Sequence, residues 1–242
     1  MGSALLARGL RKAFRGVVAV DDVDLEVRAG ERVALLGANG AGKTTTLLML
    51  LGVISPDRGD IELLGHGLPA GRSEAMAGIG FTAGYLPLPD RLKVREVLGV
   101  FGRLYGLPDA DEAAEQGLAR FGITGLGGQM ANELSSGQRT LVGLVKATMH
   151  RPQLLVLDEP TASLDPDVAH RARTGIEDVC AEDGTAVLVT SHNMTEVERM
   201  CHRVVFLSHG KVVADGDPAA VAAQFGRRTL EEVFMHLASE EL

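Results

Sequence analysis

A glycine-rich segment that ends in a lysine and a hydroxyl residue carries the clearest chemistry of this sequence. Its residues are Gly37, Ala38, Asn39, Gly40, Ala41, Gly42, Lys43 and Thr44, with Thr45 directly after. Glycines let a backbone wrap closely round a phosphate and point successive N–H groups at it. A lysine at this position supplies a point charge for the terminal phosphates, and a threonine supplies an oxygen for Mg²⁺. The spacing therefore predicts a binding site for a nucleoside triphosphate with Mg²⁺.

The context of the glycine-rich segment separates this interpretation from a chance match. Residues 32–36 before it form an apolar run typical of a strand, and residues 43–51 after it are typical of a helix. A helix that begins at the loop directs its partial positive charge at the phosphates. A chance match would not require this strand and helix, so the context favours function.

A second candidate is the acidic pair Asp158 and Glu159, which follows the apolar residues 154–157. Two carboxylates at the end of a buried strand are unfavourable unless they meet a cation or a substrate. We expect Asp158 to hold Mg²⁺ through water, and Glu159 to polarise the water that attacks the γ-phosphate. Such a pair is weak evidence alone, but the phosphate loop upstream makes it strong.

The elements around these motifs predict an α/β fold. Short apolar strands at 154–157, 186–189 and 204–207 alternate with helices at 167–181 and 194–200. This alternation indicates a parallel sheet covered on both faces, which binds ligands at the carboxyl ends of its strands.

The two ends and the middle of the chain differ from that pattern. Residues 5–14 and 23–28 indicate an N-terminal antiparallel β layer, because residues 23–28 alternate apolar and polar side chains. The stretch 94–150 shows helices and no core strand, and residues 229–237 predict a short amphipathic helix. We expect a helical lobe inserted into the α/β domain.

The composition limits the classes of function. The formal net charge of −8 argues against a nucleic-acid partner, since phosphate backbones are held by basic surfaces. The apolar stretch 47–54 is too short to cross a bilayer, and residues 1–12 do not fit a signal peptide. Cys180 and Cys201 lack metal-type spacing. We expect a cytoplasmic protein whose membrane role, if it has one, depends on a partner.

Residues 134–138 select among the many nucleotide-binding folds. Leu134-Ser135-Ser136-Gly137-Gln138 resembles the LSGGQ signature of ABC ATPases, with Ser136 in place of the first glycine. Without the other motifs, this segment would indicate only a serine that caps the start of a helix. Further elements of that family follow in the family's order, so we identify the chain as a member by resemblance. They are Asp165 in a D-loop-like Ser163-Leu164-Asp165, His192 as the switch histidine, and Phe14 as the aromatic that stacks on adenine.

The resemblance implies a single ABC ATPase domain and a shared site. The implied fold has a phosphate-loop, parallel-sheet lobe at about 1–83 and 151–222, a helical lobe at about 84–150 and a C-terminal helix at about 223–242. Two cassettes would pack head to tail around two Mg-ATP, so that the signature of one copy covers the ATP of the other. Lys43, Glu159 and His192 would be catalytic. Phe14, residues 37–45, residues 135–138 and Asp165 would bind nucleotide. Thr44 and Asp158 would bind Mg²⁺.

The chain further resembles the ATPase subunits of bacterial ABC-2-type exporters, through residues 191–198 and 229–234. That resemblance implies an integral membrane permease as a partner, docked in a groove lined by residues 84–95. It places the chain at the inner face of the cell membrane. The resemblance does not identify the transported substrate. It also leaves open whether the chain serves import or export, and whether it forms a homodimer or a heterodimer. Two other functions also stay open, a soluble ABC ATPase in DNA repair or translation and a regulator with little turnover.

One position departs from the family. A glutamine that contacts Mg²⁺ normally ends the strand leading into the helical lobe, and this chain has Gly84 there. Glycine offers no side-chain ligand. We hypothesise that water or a backbone carbonyl fills the coordination, with weaker coupling to the membrane partner. An unchanged ATPase rate and Mg²⁺ dependence in Gly84→Gln would refute a role for this position.

Overall fold

The computed structural model describes residues 2–83, 87–162 and 164–239. The strands are β1 (Ser3–Phe14), β2 (Val17–Arg28), β3 (Arg32–Leu36), β4 (Arg58–Leu63), β5 (His66–Gly67), β6 (Ile79–Ala83), β7 (Leu154–Asp158), β8 (Ala186–Thr190), β9 (Arg203–Ser208) and β10 (Lys211–Gly216). The helices are α1 (Lys43–Leu50), α2 (Arg72–Met76), α3 (Val94–Leu104), α4 (Ala110–Arg120), α5 (Ser136–Thr148), α6 (Pro166–Asp183), α7 (Met194–Met200), α8 (Pro218–Gln224) and α9 (Leu230–Ser239).

The chain forms two compact units. The first combines Met1–Met76 with Ala186–Leu242, and the second is Ala77–Thr185. The lobe boundaries that the sequence suggests stay a prediction, and each unit is described by itself below.

An antiparallel sheet in the order β2-β1-β4-β5 forms one layer of the first unit. Arg15 and Gly16 join β1 to β2, both with positive φ (48° and 88°), and Phe14 pairs with Val17 across them. Two-residue turns with positive φ match the natural twist of a hairpin. The antiparallel β layer expected at the N-terminus is confirmed.

The other strands of the first unit lie in the order β10-β9-β3-β8. β3 is parallel to both β8 and β9, with Leu35 opposite Thr190 and Leu36 opposite Phe206. β3 is buried from Val33 to Leu36, as expected for a strand covered on both faces. The segments that follow β3, β8 and β9 therefore leave the sheet at one edge.

The second unit contains the parallel pair β6 and β7, in which Ala83 lies opposite Asp158. α5 packs closely on β6: a Cβ added to Gly143 would lie 3.1 Å from Oγ1 of Thr82. The core of the helical part includes Leu98 and Phe121, each no more than 1 % exposed. No strand interrupts the described residues between α3 and α5, as the sequence predicts.

The α/β class is confirmed, with parallel strands, an antiparallel layer and helices. The sequence analysis left out five short elements, β4, β5, α2, β10 and α8, which have two to seven residues each. A continuous apolar run predicts an element as short as β8, but β4 and β10 have few buried residues and lack a run of that length, so the sequence does not reveal them. None of the helices in the described part of the chain is both long and apolar enough to cross a membrane.

Candidate functional site

The glycine-rich loop of the first unit runs between β3 and α1 in a conformation that only glycine adopts readily. Gly37, Gly40 and Gly42 have φ values of 149°, 89° and 104°. A Cβ on Gly37 would clash with the carbonyl oxygen of Leu207, and one on Gly42 would lie 2.5 Å from the carbonyl oxygen of Ala19. The loop is thus pressed against its neighbours, and two of its glycines have no room for a side chain.

Lys43 lies across this loop. Its Nζ donates to the carbonyl oxygens of Gly37, at 2.6 Å, and Ala38, at 3.0 Å. Gly42 caps α1, and no acidic residue occupies the first turn of that helix. The Lys43 ammonium and the positive end of α1 therefore lie close together, and this combination favours the binding of an anion.

His192 belongs to the same unit and lies just beyond β8. Because Leu35 of β3 pairs with Thr190 of β8 in parallel, the phosphate loop and His192 follow neighbouring strands at one edge. The His192 side chain is exposed, and Asn193 caps α7 by accepting from the N–H of Glu196. This is the arrangement expected of a histidine that reaches a bound phosphate.

Phe14 ends β1 with 47 % of its surface exposed, beside the exposed Val17 and Val18. Nζ of Lys12 lies 5.7 Å from the centre of its ring and donates to Oδ1 of Asp57. That hydrogen bond holds the pKa of the Asp57 carboxyl below its usual value. A core phenylalanine was the alternative, and the exposure instead leaves a ring face available for a base.

The acidic pair belongs to the second unit. Asp158 is the last residue of β7, and Glu159 follows with a φ of 53°. A left-handed backbone is uncommon for a glutamate and tends to occur at functional sites. The N–H of Ala162 donates to the Glu159 carbonyl oxygen at 3.2 Å and closes a turn directly after it.

The signature segment opens α5 of the second unit. Ser135 caps the helix, accepting from the N–H of Gln138 at 3.2 Å, while Oε1 of Gln138 accepts from the N–H of Ser135 at 2.9 Å. Ser136 is exposed at the first turn, and Gly137 is buried against Val168, 3.1 Å from an added Cβ. The serine cap is thus present, with the Gln138 side chain engaged in it, and the binding of an anion here stays a prediction.

Comparison with known proteins identifies the family. The ABC transporter family profile matches residues 20–162. A Nod factor export ATP-binding protein I of Paraburkholderia xenovorans is 36 % identical over 225 residues, 92 % of this chain and 74 % of that protein. The chain belongs to the ABC transporter family. It is accordingly an ATP-binding cassette ATPase.

Solved structures of ABC proteins share this fold. The ATP-binding subunit of an ABC transporter superposes with a TM-score of 0.86 at 29 % identity, over 97 % of this chain and 99 % of that one. The cbiO1 protein of Clostridium perfringens, part of the ABC transporter complex cbiONQ, gives 0.84 at 25 % identity over 93 % and 92 %. The expected fold class and ATPase activity are therefore confirmed.

The residues that an ABC cassette needs for nucleotide are divided between the two units. The phosphate loop, Phe14 and His192 are in the first unit, and Asp158, Glu159, Asp165 and the signature are in the second. Asp165 is exposed at the N-cap position of α6, and its side chain makes no capping hydrogen bond to the described residues of that helix. The roles of these residues stay predictions. Gly84 and Ser163 lie outside the described residues.

The phosphate loop fits a nucleotide by its own geometry. Its cradle excludes side chains at Gly37 and Gly42, and Lys43 supplies the cation. Thr44 is exposed at the start of α1, whereas Thr46 is fully buried and its hydroxyl oxygen finds no hydrogen-bond partner in the described residues. The oxygens of Thr44 and Asp158 are the kind that Mg²⁺ prefers.

The sequence analysis missed a cavity of about 520 Å³ in the second unit. Its lining includes Thr82, Arg139, Lys146, Asp158 and Glu159. Lys146, Gly143 and Arg139 recur along α5 at spacings of three and four, so they share one helix face. Two cations, Arg139 and Lys146, at a spacing of seven on one face of α5 were the sequence signal that could have revealed this cavity.

Proposed function

We propose that this chain is the ATP-hydrolysing subunit of an ABC exporter, in which two copies act head to tail on a separate membrane protein. The observation that carries the proposal is the cradle formed by Gly37, Gly42 and Lys43. A loop that excludes Cβ atoms and holds a lysine at a helix start is built for phosphate.

Residues of the first unit hold the nucleotide in this proposal. Lys43 and the loop N–H groups bind the β- and γ-phosphates, and Phe14 stacks on the adenine. Thr44 of this unit would be a ligand of Mg²⁺, as would Asp158 of the second unit, and the metal would neutralise phosphate charge. The exposed ring of Phe14 and the acid-free start of α1 support this assignment.

Two further side chains, Glu159 and His192, carry out hydrolysis in this proposal. Glu159 accepts a proton from the attacking water, and His192 donates a hydrogen bond to the γ-phosphate. The positive φ of Glu159 supports a catalytic assignment, because strained backbone is retained where geometry matters. General-base catalysis of this kind contributes a factor of about 10² to 10⁴.

A second copy completes each site. Ser135, Ser136 and Gly137 at the start of α5, with Gln138 and Asp165, meet the γ-phosphate held by the other copy. The exposure of Ser136 in the first turn of α5 supports this role, since the positive end of a helix favours anions. ATP binding then joins the copies and hydrolysis releases them, as in a two-state switch.

Transport requires a membrane-spanning partner. The described part of the chain has no helix able to cross a bilayer, and the cbiO1 protein is named as part of a transporter complex. The curated relative from Paraburkholderia xenovorans is named for export. The name of the Paraburkholderia relative supports export, and the membership of cbiO1 in the complex cbiONQ supports a subunit of a larger transporter complex. We infer a subunit at the inner face of the membrane, bound there through a permease.

Complementation between two inactive variants tests the head-to-tail site. Lys43→Ala disables the phosphate loop, and Ser136→Glu places a negative charge at the signature while remaining favourable in the first turn of a helix. An equimolar mixture should recover about a quarter of the wild-type ATPase rate, because half of the dimers carry one intact site.

Ser136→Ala is the matched control for Ser136→Glu, since it removes the hydroxyl without adding charge. Each variant alone should be inactive, apart from this control. A mixture that stays as inactive as its components would show that each copy hydrolyses ATP without the signature of another, and the head-to-tail arrangement would fail.

A further inference from the structure

Lys146 is buried to an unusual degree for a lysine. Only 9 % of its surface is exposed, on a helix whose other buried residues are apolar or small apart from Thr148. Its Nζ lies 4.9 Å from the centre of the Phe101 ring, and burial lowers the pKa of the amine. Lysines are seldom buried without a partner, because removing an ammonium group from water is costly.

No carboxylate neutralises this lysine within the described ranges 2–83, 87–162 and 164–239. No acidic oxygen there forms an ion pair with its Nζ within 4.0 Å. Burial is the only cause that shifts its pKa, so no charged group acts on it strongly. The neighbouring cation Arg139 is already engaged, donating to Oδ1 of Asp90 at 3.4 Å and to the Leu134 carbonyl oxygen at 3.3 Å.

Lys146 lines the cavity of about 520 Å³ that also contains Asp158 and Glu159. Apolar side chains of Pro87 and Leu88 form another part of the lining. The volume is within the range of typical ligand sites and exceeds that of one side chain. Asp158 and Glu159 also line the cavity, but neither forms an ion pair with Lys146. The ammonium, with Pro87 and Leu88 in the same lining, fits a side chain that has an aliphatic stem and a carboxylate end.

We propose that the cavity receives an aspartate or glutamate side chain of the membrane partner, which forms an ion pair with Lys146. The charge of the Lys146 amine favours a carboxylate, and Pro87 and Leu88 favour the methylene groups that carry it. The inference rests on the proposed function, because it needs a membrane partner. Since the catalytic Glu159 lines the same cavity, docking of this acid links the partner to the hydrolysis site.

Zero-length cross-linking in membranes of the cell that makes the chain tests this pair directly. A carbodiimide joins an amine to a carboxylate only when the two groups are in contact. Peptide mass spectrometry should find Lys146 joined by an amide bond to an aspartate or glutamate of an integral membrane protein. Lys146→Arg should remain bound to the membranes while losing this cross-link, because a guanidinium does not form it.

The second test measures how strongly variants of the chain bind to the same membranes. Lys146→Met should weaken binding to the membranes about 30-fold or more, since it leaves the partner's acid buried and unpaired. It should leave the ATPase rate of the isolated chain unchanged and its melting temperature equal or higher, because an unpaired buried charge has been removed. Lys211→Met, at an exposed lysine of the first unit that belongs to no proposed site, should change neither binding nor melting.

The outcomes separate the inference from the proposed function. Wild-type chain that never binds membranes would overturn both. Wild type and Lys146→Met that bind equally, with no cross-link at Lys146, would overturn the inference alone. A Lys146→Met chain that melts well below the wild type but binds membranes as strongly would show that the lysine only supports the fold, and this too would overturn it.

Discussion

Nζ of Lys43 donates to the carbonyl oxygen of Gly37 at 2.6 Å, so the backbone of the loop orients the amine of its own lysine. A second bond, to Ala38, fixes the amine over the centre of the loop. Such preorganisation reduces the entropy lost when a ligand binds. The nucleotide would take over these hydrogen bonds with its phosphate oxygens.

Removing this amine should weaken nucleotide binding. We expect Lys43→Ala to bind ATP about 10- to 150-fold more weakly, the factor that corresponds to one hydrogen bond to a charged group. Titration calorimetry measures the affinity. Lys93→Ala, which removes an exposed lysine of the other unit, is the matched control and should bind ATP like the wild type. Equal affinities in the two variants would contradict the role of Lys43.

Two glycines of the loop should respond differently to alanine. Both Gly42 and Gly40 have positive φ, but only at Gly42 would a Cβ meet backbone, at 2.5 Å from the Ala19 oxygen. Positive φ alone costs about 1–2 kcal/mol for alanine. Gly42→Ala should lower the free energy of unfolding in urea by more than Gly40→Ala does. Equal losses would show that the loop can move away from β2 at no cost.

Phe14 should contribute to nucleotide affinity and little to folding, because 47 % of its surface is exposed. We expect Phe14→Ala to weaken ATP binding by about 1–3 kcal/mol, the range for one base stacked on an aromatic ring. Phe14→Tyr should keep the affinity. A Phe14→Ala chain that binds ATP normally but melts much lower would assign the ring to folding instead.

The sequence predicted the phosphate loop, the acidic pair and the strands that carry them because each has a local pattern. Glycine spacing defines the loop at Gly37 and Gly42, and the continuous apolar run before Asp158 defines β7. Both patterns lie within about ten residues, the range over which periodicity and turn chemistry act.

Features that depend on distant parts of the chain could not be predicted in this way. The burial of Lys146 depends on Phe101, which is far from it in sequence and lies near its Nζ only in the folded unit. The positive φ of Glu159 follows from the turn after β7, and glutamate itself has no preference for it. Tertiary packing decides both, so a single sequence does not reveal them.

His150 should make stability depend on pH. Burial lowers its pKa, and its ring stacks on Tyr105 while Nε2 lies 3.1 Å from the Ile79 carbonyl oxygen. A lowered pKa means that the folded chain binds this proton less well than the unfolded chain does. The stabilisation is therefore complete above the unfolded value of about 6.5 and is lost as the pH falls towards the folded value.

Urea unfolding at pH 7 and pH 5 tests that expectation. Between these values the wild type should lose more stability than His150→Gln, whose amide can still donate to Ile79. His170→Gln changes an exposed histidine of the same unit and should behave like the wild type. If His150→Gln and the wild type lose equal stability on acidification, the protonation of His150 does not contribute.

We propose that Glu159 is the general base of ATP hydrolysis. The most direct test is the steady-state ATPase rate of the purified chain with Mg²⁺, compared between the wild type, Glu159→Gln and Glu177→Gln as control. We expect the ATPase rate of Glu159→Gln to be lower by a factor of about 10² to 10⁴, although this variant still binds ATP. The ATPase rate of Glu177→Gln should equal that of the wild type. A Glu159→Gln chain that hydrolyses ATP at the wild-type rate would contradict the account.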